Sequence, residues 1–411
     1  MADRSVHVGG QDTPHTDTSA ERTDVPGIDP RPDTGADVLQ ALRGDALYFN
    51  VAGSGPTFPV ALDAAERFRR WLNEVGMFSH VGYDAYNAAL SEARTDVAAF
   101  IGDPGGASRI ALTQSATDGL NLAIAGLRLR PGATLVTTAE EHGSALLPQF
   151  VRQRKGERVV VLPYVDAEDF IARMRPERPE AVVISLVSCK SGRLLDVAPI
   201  ARAARELGAY VIVDAAQAAG QVPVDVGALG ADAVVLLGHK WLHGPLATGA
   251  LWVRDPDSLE PPRLGWRSRV SHDDTGAIEL QPDATRFETG TVDAASFVGL
   301  RQSLAVHRAL GATVGKRIRA LRAALFERLR ALPFDLVSRA EDPTGIVVVA
   351  PRGGDAAGIV SRMWTAERIV VKHLLEPGQP EAIRISFWAL HREDDLDRLC
   401  SALARQSAVR A

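Results

Sequence analysis

Cysteine is nearly absent, with only Cys189 and Cys400 in 411 residues. Two thiols, neither in a CxxC pair, cannot build the disulfide framework of a secreted scaffold, so a reducing cytoplasm is the expected compartment. Long apolar runs are missing too. None reaches the roughly 20 residues that span a bilayer, and the N-terminus lacks the apolar core of a secretion signal. Nor is there a basic excess: 46 Lys and Arg stand against 51 Asp and Glu, a net charge of −5, with no basic block of the kind that grips nucleic acid. His239 and His243 are four apart, but no glutamate completes a zinc-binding spacing and Gly244-Pro245 breaks the element, so no metal is expected. A soluble chain is expected, with neither nucleic acid nor membrane as partner.

What is present is a chain too long for one ordinary core. Residues 1–35, rich in Asp, Thr, Pro and Gly, predict a disordered tail, or an arm that folds onto a partner subunit. A short helix follows from Ala36. The Gly53-Ser54-Gly55-Pro56 loop and helices from Pro59 to Asn73 and from Tyr83 to Ile101 come next, with residues 74–82 between them placed to line a pocket mouth. From Arg109 to Val253 short β-branched runs alternate with helical stretches, the pattern of a mostly parallel sheet covered on both faces. Residues 271–283 read as a polar loop and 291–332 as helix. The runs at 345–349, 368–371 and 383–387, with their flanking helices, predict a small α/β domain. The expected division is a tail (1–35), a large domain (36–290), and a linking helix with a small C-terminal domain (291–411).

Two of the apolar runs end in chemically telling residues. Ala209-Tyr210-Val211-Ile212-Val213 delivers Asp214, and Ala233-Val234-Val235-Leu236-Leu237 delivers Gly238-His239-Lys240. Strand ends are where ligands collect in α/β sheets. A lysine buried there loses its proton readily and can attack an aldehyde, while an aspartate can hold a cationic ring nitrogen. This is what pyridoxal phosphate requires of a protein. Thr113-Gln114-Ser115-Ala116-Thr117 also follows a strand and opens a helix. Its small residues let backbone N–H groups approach a phosphate, though the same segment reads equally as a helix cap supplied by Asp or Thr. His142, after another strand, is placed to stack on an aromatic cofactor or to shuttle protons.

The set Ser115-Ala116-Thr117, His142, Asp214-Ala215-Ala216-Gln217, Gly238-His239-Lys240 and Gly290-Thr291, in this order, resembles the class V aminotransferase superfamily. These are fold-type I pyridoxal phosphate enzymes that include cysteine desulfurases, C–S lyases and isopenicillin N epimerase. The resemblance implies an α/β fold, with a large domain built on a seven-stranded, mostly parallel sheet. It makes Lys240 the Schiff-base lysine, Asp214 the partner of the ring nitrogen, Gln217 the partner of the phenolic oxygen, and His142 the stacking residue. Ser115, Ala116, Thr117 and His239 would hold phosphate. Thr291 would reach it across a subunit interface, which implies a homodimer with shared sites. Arg384 resembles the clamp for an amino-acid substrate's α-carboxylate, with Asn50 and His373 as further substrate contacts.

The chain also departs from the pattern. Cysteine desulfurases carry a catalytic cysteine on a mobile loop before the substrate arginine, and here residues 371–378 contain none. Cys189 stands where relatives usually have an asparagine near the phenolic oxygen, and reads as a small buried hydrophobe rather than a nucleophile. Leu237 replaces a phosphate-contacting hydroxyl. The leading expectation is a C–S lyase that eliminates the sulfur substituent of a cysteine derivative. The alternatives are an aminotransferase, an epimerase or a decarboxylative oxidative deaminase of a natural-product amino acid, or an inactive binding protein on the same fold.

Overall fold

The computed structural model describes residues 24–29, 46–376 and 380–408. The rest of the expected tail and the helix expected from Ala36 lie outside them. Within 24–29, the Asp29 backbone exchanges two hydrogen bonds with the Gln302 amide, at 2.7 and 3.0 Å, and Ile28 packs on the core.

Strand β1 (Leu47–Tyr48) precedes two long helices, α1 (Pro59–Val75) and α2 (His80–Phe100). Proline at the start of α1 costs nothing because that N–H has no helical partner, and Ser79 caps α2 by accepting from Gly82 N at 3.0 Å. The central part then runs β2 (Ile110–Thr113), α3 (Ala116–Ala125), β3 (Thr134–Thr138), α4 (Gly143–Gln153), β4 (Arg158–Leu162) and α5 (Ala167–Glu177). It continues with β5 (Ala181–Ser185), α6 (Val197–Glu206), β6 (Tyr210–Asp214), α7 (Val226–Leu229), β7 (Ala233–Leu237) and β8 (Gly249–Val253). These strands form one seven-stranded sheet in the order β2-β8-β7-β6-β5-β3-β4. All pairs are parallel except those of β8, which runs antiparallel to both neighbours. Every residue of β5, β7 and β8 is buried, as strands covered on both faces must be.

After the central sheet come the hairpin β9 (Arg269–His272) and β10 (Ile278–Leu280), then α8 (Ala294–Leu310) and α9 (Thr313–Leu329). The C-terminal elements are β11 (Phe334–Leu336), β12 (Ile346–Pro351), α10 (Ala356–Thr365), β13 (Ile369–Val370), β14 (Lys372–Leu374), β15 (Ala382–Ser386) and α11 (Glu393–Ala408). An antiparallel sheet β11-β12-β15-β14 is formed here, while β1 pairs in parallel with β13. Among the described residues no helix is long and apolar enough to cross a membrane.

Several expectations are corrected. The stretch read as one helix over 291–332 is two, α8 and α9, because Gly311 takes φ 50° and ends the first. The stretch read as a polar loop over 271–283 contains a hairpin. Its turn is organised by Asp273 Oδ1, which accepts from Thr275 N and Ala277 N, and by Gly276 at φ 94°. Helix α5 gave no apolar periodicity because only Phe170 and Met174 are buried in it; its signal is the Asp166 cap on Asp169 N. Of the run at 368–371 only Ile369–Val370 form a strand, β13, and β14 begins after it at Lys372.

One ion pair ties the two halves of the sequence together. Arg94 on α2 donates twice to Glu288, at 2.9 and 2.7 Å, and Glu288 Oε1 also accepts from Leu112 N of β2 at 2.9 Å. Both side chains are buried, with Arg267 Nη2 at 3.7 Å as a second cation. Arg94→Leu leaves Glu288 buried with only that distant cation and the Leu112 N–H, and should cost about 3 kcal/mol, the low end for breaking a buried pair. Arg69→Ala, which removes a half-exposed pair with Asp293, should cost less than about 1 kcal/mol. Denaturant unfolding of the two variants checks the contrast, and equal losses would contradict it.

Candidate active site

The C-terminal ends of β3, β5, β6 and β7 open onto a cleft lined by Ser115, Ala116, Thr117, His142, Cys189, Asp214, Gln217, His239 and Lys240. Nine of the residues singled out from sequence thus meet in one place. Asp214 closes β6, where burial pushes its carboxyl above the usual range; its Oδ1 accepts from Ala216 N at 2.8 Å. Among the described residues it has no salt-bridge partner at contact distance. Lys240 follows β7 by three residues. Burial pulls its amine below the usual lysine range against the opposing pull of Asp214, so it gives up its proton more readily than a surface lysine. Burial also lowers His142 and His239, and the charge of Lys240 lowers both further.

Ser115, rather than an Asp or Thr, is the N-cap of α3, and its hydroxyl accepts from Asp118 N at 3.1 Å. The first turn nevertheless faces the cleft through Ser115, Ala116 and Thr117. Thr117 Oγ1 lies 2.8 Å from Ser144 Oγ, which lies 2.9 Å from His142 Nδ1; the same ring nitrogen accepts from Ser144 N and caps α4. The imidazole is therefore fixed in orientation at the cleft wall. Gln217 is held at both ends of its amide, donating to Ala52 O at 3.0 Å and accepting from the Trp241 indole at 2.8 Å. One amide hydrogen remains for a further partner.

Arg384 on β15 approaches from the other side. Its Nη1 donates to Cys189 O at 3.1 Å and Nη2 lies 3.5 Å from Asn50 Oδ1, leaving Nε buried and unpartnered. Burial pushes the Cys189 thiol up to about 11, which removes its nucleophilicity at neutral pH. Tyr48 stands near enough to Arg384 to feel its charge and donates its hydroxyl to Ser54 O at 2.7 Å. On the rim, Lys190 pairs with Glu376 at 3.2 Å.

Besides Arg384 and Asn50, two candidates do not line this cleft. His373 on β14 faces Glu381 at 3.3 Å. Thr291 is exposed and lines a separate surface hollow with Phe78, Ser79, His80, Tyr83, Asp84 and Trp266. Of the expected pocket mouth, Phe78, Ser79 and His80 border this hollow. Two residues escaped the sequence reading: Glu141, wholly buried beneath His142, and Ser185, which lines the cleft at the end of β5. In Ala139-Glu140-Glu141 nothing marks one glutamate as internal; the only signal is that hydroxyls, Thr138 and Ser185, close two adjacent buried strands.

A buried carboxylate without a cation, a lysine with a depressed proton affinity, and a helix start lined by small residues fit a phosphorylated ring with a cationic nitrogen and an aldehyde. The comparisons with known proteins agree. The family model "Aminotransferase class-V" matches residues 47–399. A "probable cysteine desulfurase" of Streptomyces coelicolor is 32% identical over 72% of this chain and 72% of its own length. One from Mycolicibacterium paratuberculosis is 31% identical over 95% of this chain, which spans 58% of that relative. A solved cystine C–S lyase, C-DES, in complex with its reaction product cysteine persulfide, has a TM-score of 0.80 at 24% identity, covering 88% of this chain and 98% of its own. The apo cysteine desulfurase of Thermococcus onnurineus NA1 has 0.81 at 23%, covering 90% and 97%. At such identities these structures speak for the fold. The chain belongs to the class-V aminotransferase family and is a pyridoxal phosphate-dependent enzyme.

Proposed function

We propose that this enzyme is a C–S lyase: it removes the α-proton of a cysteine whose sulfur bears a substituent and expels that sulfur as a thiol, the remainder hydrolysing to pyruvate and ammonia. The observation that carries this reading is at the mouth of the cleft. The segment before β15, where a desulfurase would present its thiol, holds Lys372, His373, Leu374, Leu375 and Glu376, and Glu376 is engaged by Lys190. The sole thiol on the cleft wall, Cys189, is held protonated by burial. With no protein sulfur to receive the substrate's, the sulfur leaves with its substituent. The name of the structural neighbour C-DES, a cystine C–S lyase, is in line with this.

The bound cofactor supplies an electron sink for the substrate α-carbon. Asp214 would keep the ring nitrogen charged, and His142 would lie against the ring. Ser115, Ala116, Thr117 and His239 would hold phosphate, and Gln217 would give its remaining amide hydrogen to the phenolic oxygen. Arg384, pre-aimed by Cys189 O and Asn50, would take the substrate α-carboxylate in its two-pronged fork. Lys240 Nζ would carry the α-proton and return it to the leaving sulfur. In a homodimer, Thr291 would serve the phosphate of the second copy, in keeping with its exposure away from its own cleft.

Purified holoenzyme given a series of S-substituted cysteines should release thiol and pyruvate in equal amounts. No thiol from any of them overturns the reading. Accumulation of the pyridoxamine form of the cofactor would indicate an aminotransferase, and alanine in place of pyruvate a desulfurase. Lys240→Ala should lower kcat by about 10²–10⁴-fold, as loss of a general acid–base does, with the circular dichroism of the folded protein unchanged. Arg384→Lys, which trades a fork for a point charge, should raise KM by about tenfold or more with a smaller effect on kcat. Cys189→Ala should leave turnover at the wild-type level; its loss would return the thiol to the mechanism.

A further inference from the structure

Glu141 is fully buried beneath the cleft and engages three donors or acceptors. Its Oε1 accepts from Thr138 Oγ1 at 2.7 Å and from Ser185 N at 2.9 Å, while Oε2 meets Ser185 Oγ at 2.5 Å. The Thr138 hydroxyl accepts from Glu140 N at 3.1 Å while donating its own hydrogen to Glu141. Oε1 is thus satisfied by two fixed donors. Oε2 has only the Ser185 hydroxyl, and that contact forms in either direction.

Direction matters because Ser185 is also a wall of the cleft, opposite Asp214 in the register of β5 and β6. When Glu141 is ionised, Ser185 spends its hydrogen on Oε2 and turns only lone pairs to the cleft. When Glu141 is protonated, the carboxyl donates instead, and the Ser185 hydrogen is released toward the cleft. We propose that Glu141 and Ser185 form a buried two-state relay, in which the proton on Glu141 decides whether the cleft wall beside Asp214 offers a bound cofactor a hydrogen-bond donor or an acceptor. Glu141 is thereby a positioning residue that acts through Ser185.

The surroundings allow both states near neutrality. Burial raises the Glu141 carboxyl to about 7; its three hydrogen bonds oppose the rise and the negative charge of Asp214 adds to it. Of the other charged groups nearby, Glu140 is held by Ser188 and Ser191. Lys240, Arg384 and Glu376 act on His142 across the cleft. A cationic ring nitrogen at Asp214 would cancel part of the push on Glu141 and favour its ionised form, so cofactor and relay are coupled.

The inference rests on the cofactor site proposed above but not on the lyase reaction, and its test needs no turnover. In the visible spectrum of the holoenzyme, titrated from about pH 5 to about pH 9, the wild type should show a transition near neutrality in the cofactor band. Glu141→Gln and Ser185→Ala should each lose it, whereas Thr138→Val, which leaves the Glu141–Ser185 contact in place, should keep it. The same midpoint in all four proteins overturns the relay. The apoprotein gives a second readout. A carboxyl raised in the folded state contributes stability that is full below its unfolded pKa and is lost as pH rises through about 7. The Tm of Glu141→Gln should therefore gain on the wild type between about pH 5 and about pH 8. A constant difference across that range overturns the titration assigned to Glu141. If Glu141→Gln does not fold, the spectrum of Ser185→Ala decides alone.

Discussion

Asp214 sets a carboxyl at the buried end of a strand where burial raises its proton affinity and, among the described residues, no salt-bridge partner lies at contact distance. Burying a carboxylate is costly, and the hydrogen bond from Ala216 N with the charges of Lys240 and His142 offsets only part of that cost. Much of the surrounding structure follows from that constraint. The amine of Lys240 is close enough to be influenced yet is itself desolvated. Glu141 lies on the far side of Ser185, where a second full charge would add to the first. In the proposed cofactor arrangement, a cationic ring nitrogen at Asp214 would relieve what remains of that cost.

The parts of this site that were legible in the sequence are those whose chemistry and position are both local. β6 and β7 are unbroken apolar runs, and Asp214 and Lys240 mark where they end. Ser115 to Thr117 and His142 could be placed the same way, since each follows a strand and opens a helix. What could not be read depends on residues far apart in the chain. Glu141 looks like a surface acid until Ser185, 44 positions later, is seen to cover it. The amide of Gln217 is set by Ala52 and Trp241, and His373 is turned to Glu381. The hairpin, the break at Gly311 and helix α5 were missed for a different reason: each is specified by capping or turn residues and not by apolar periodicity.

The two walls of the cleft also differ in kind. The cofactor wall is a set of strand ends in one sheet, held in register by backbone ladders. The other wall is assembled from short contacts between distant segments: Arg384 on Cys189 O and Asn50, Lys190 on Glu376.

The pairing of β1 with β13, and of Asn50 with Ser386, places the first strand of the body against nearly the last. Ala52 N finds its acceptor, Ser386 Oγ, 334 residues later. At ribosomal speeds of about 5–20 residues per second that separation is about 20–70 s during which Phe49 and Val51 have no neighbouring strand to cover them. The nascent chain therefore makes its whole central sheet while Phe49 and Val51 are still uncovered, and this side of the cleft closes only once Ser386 has been made.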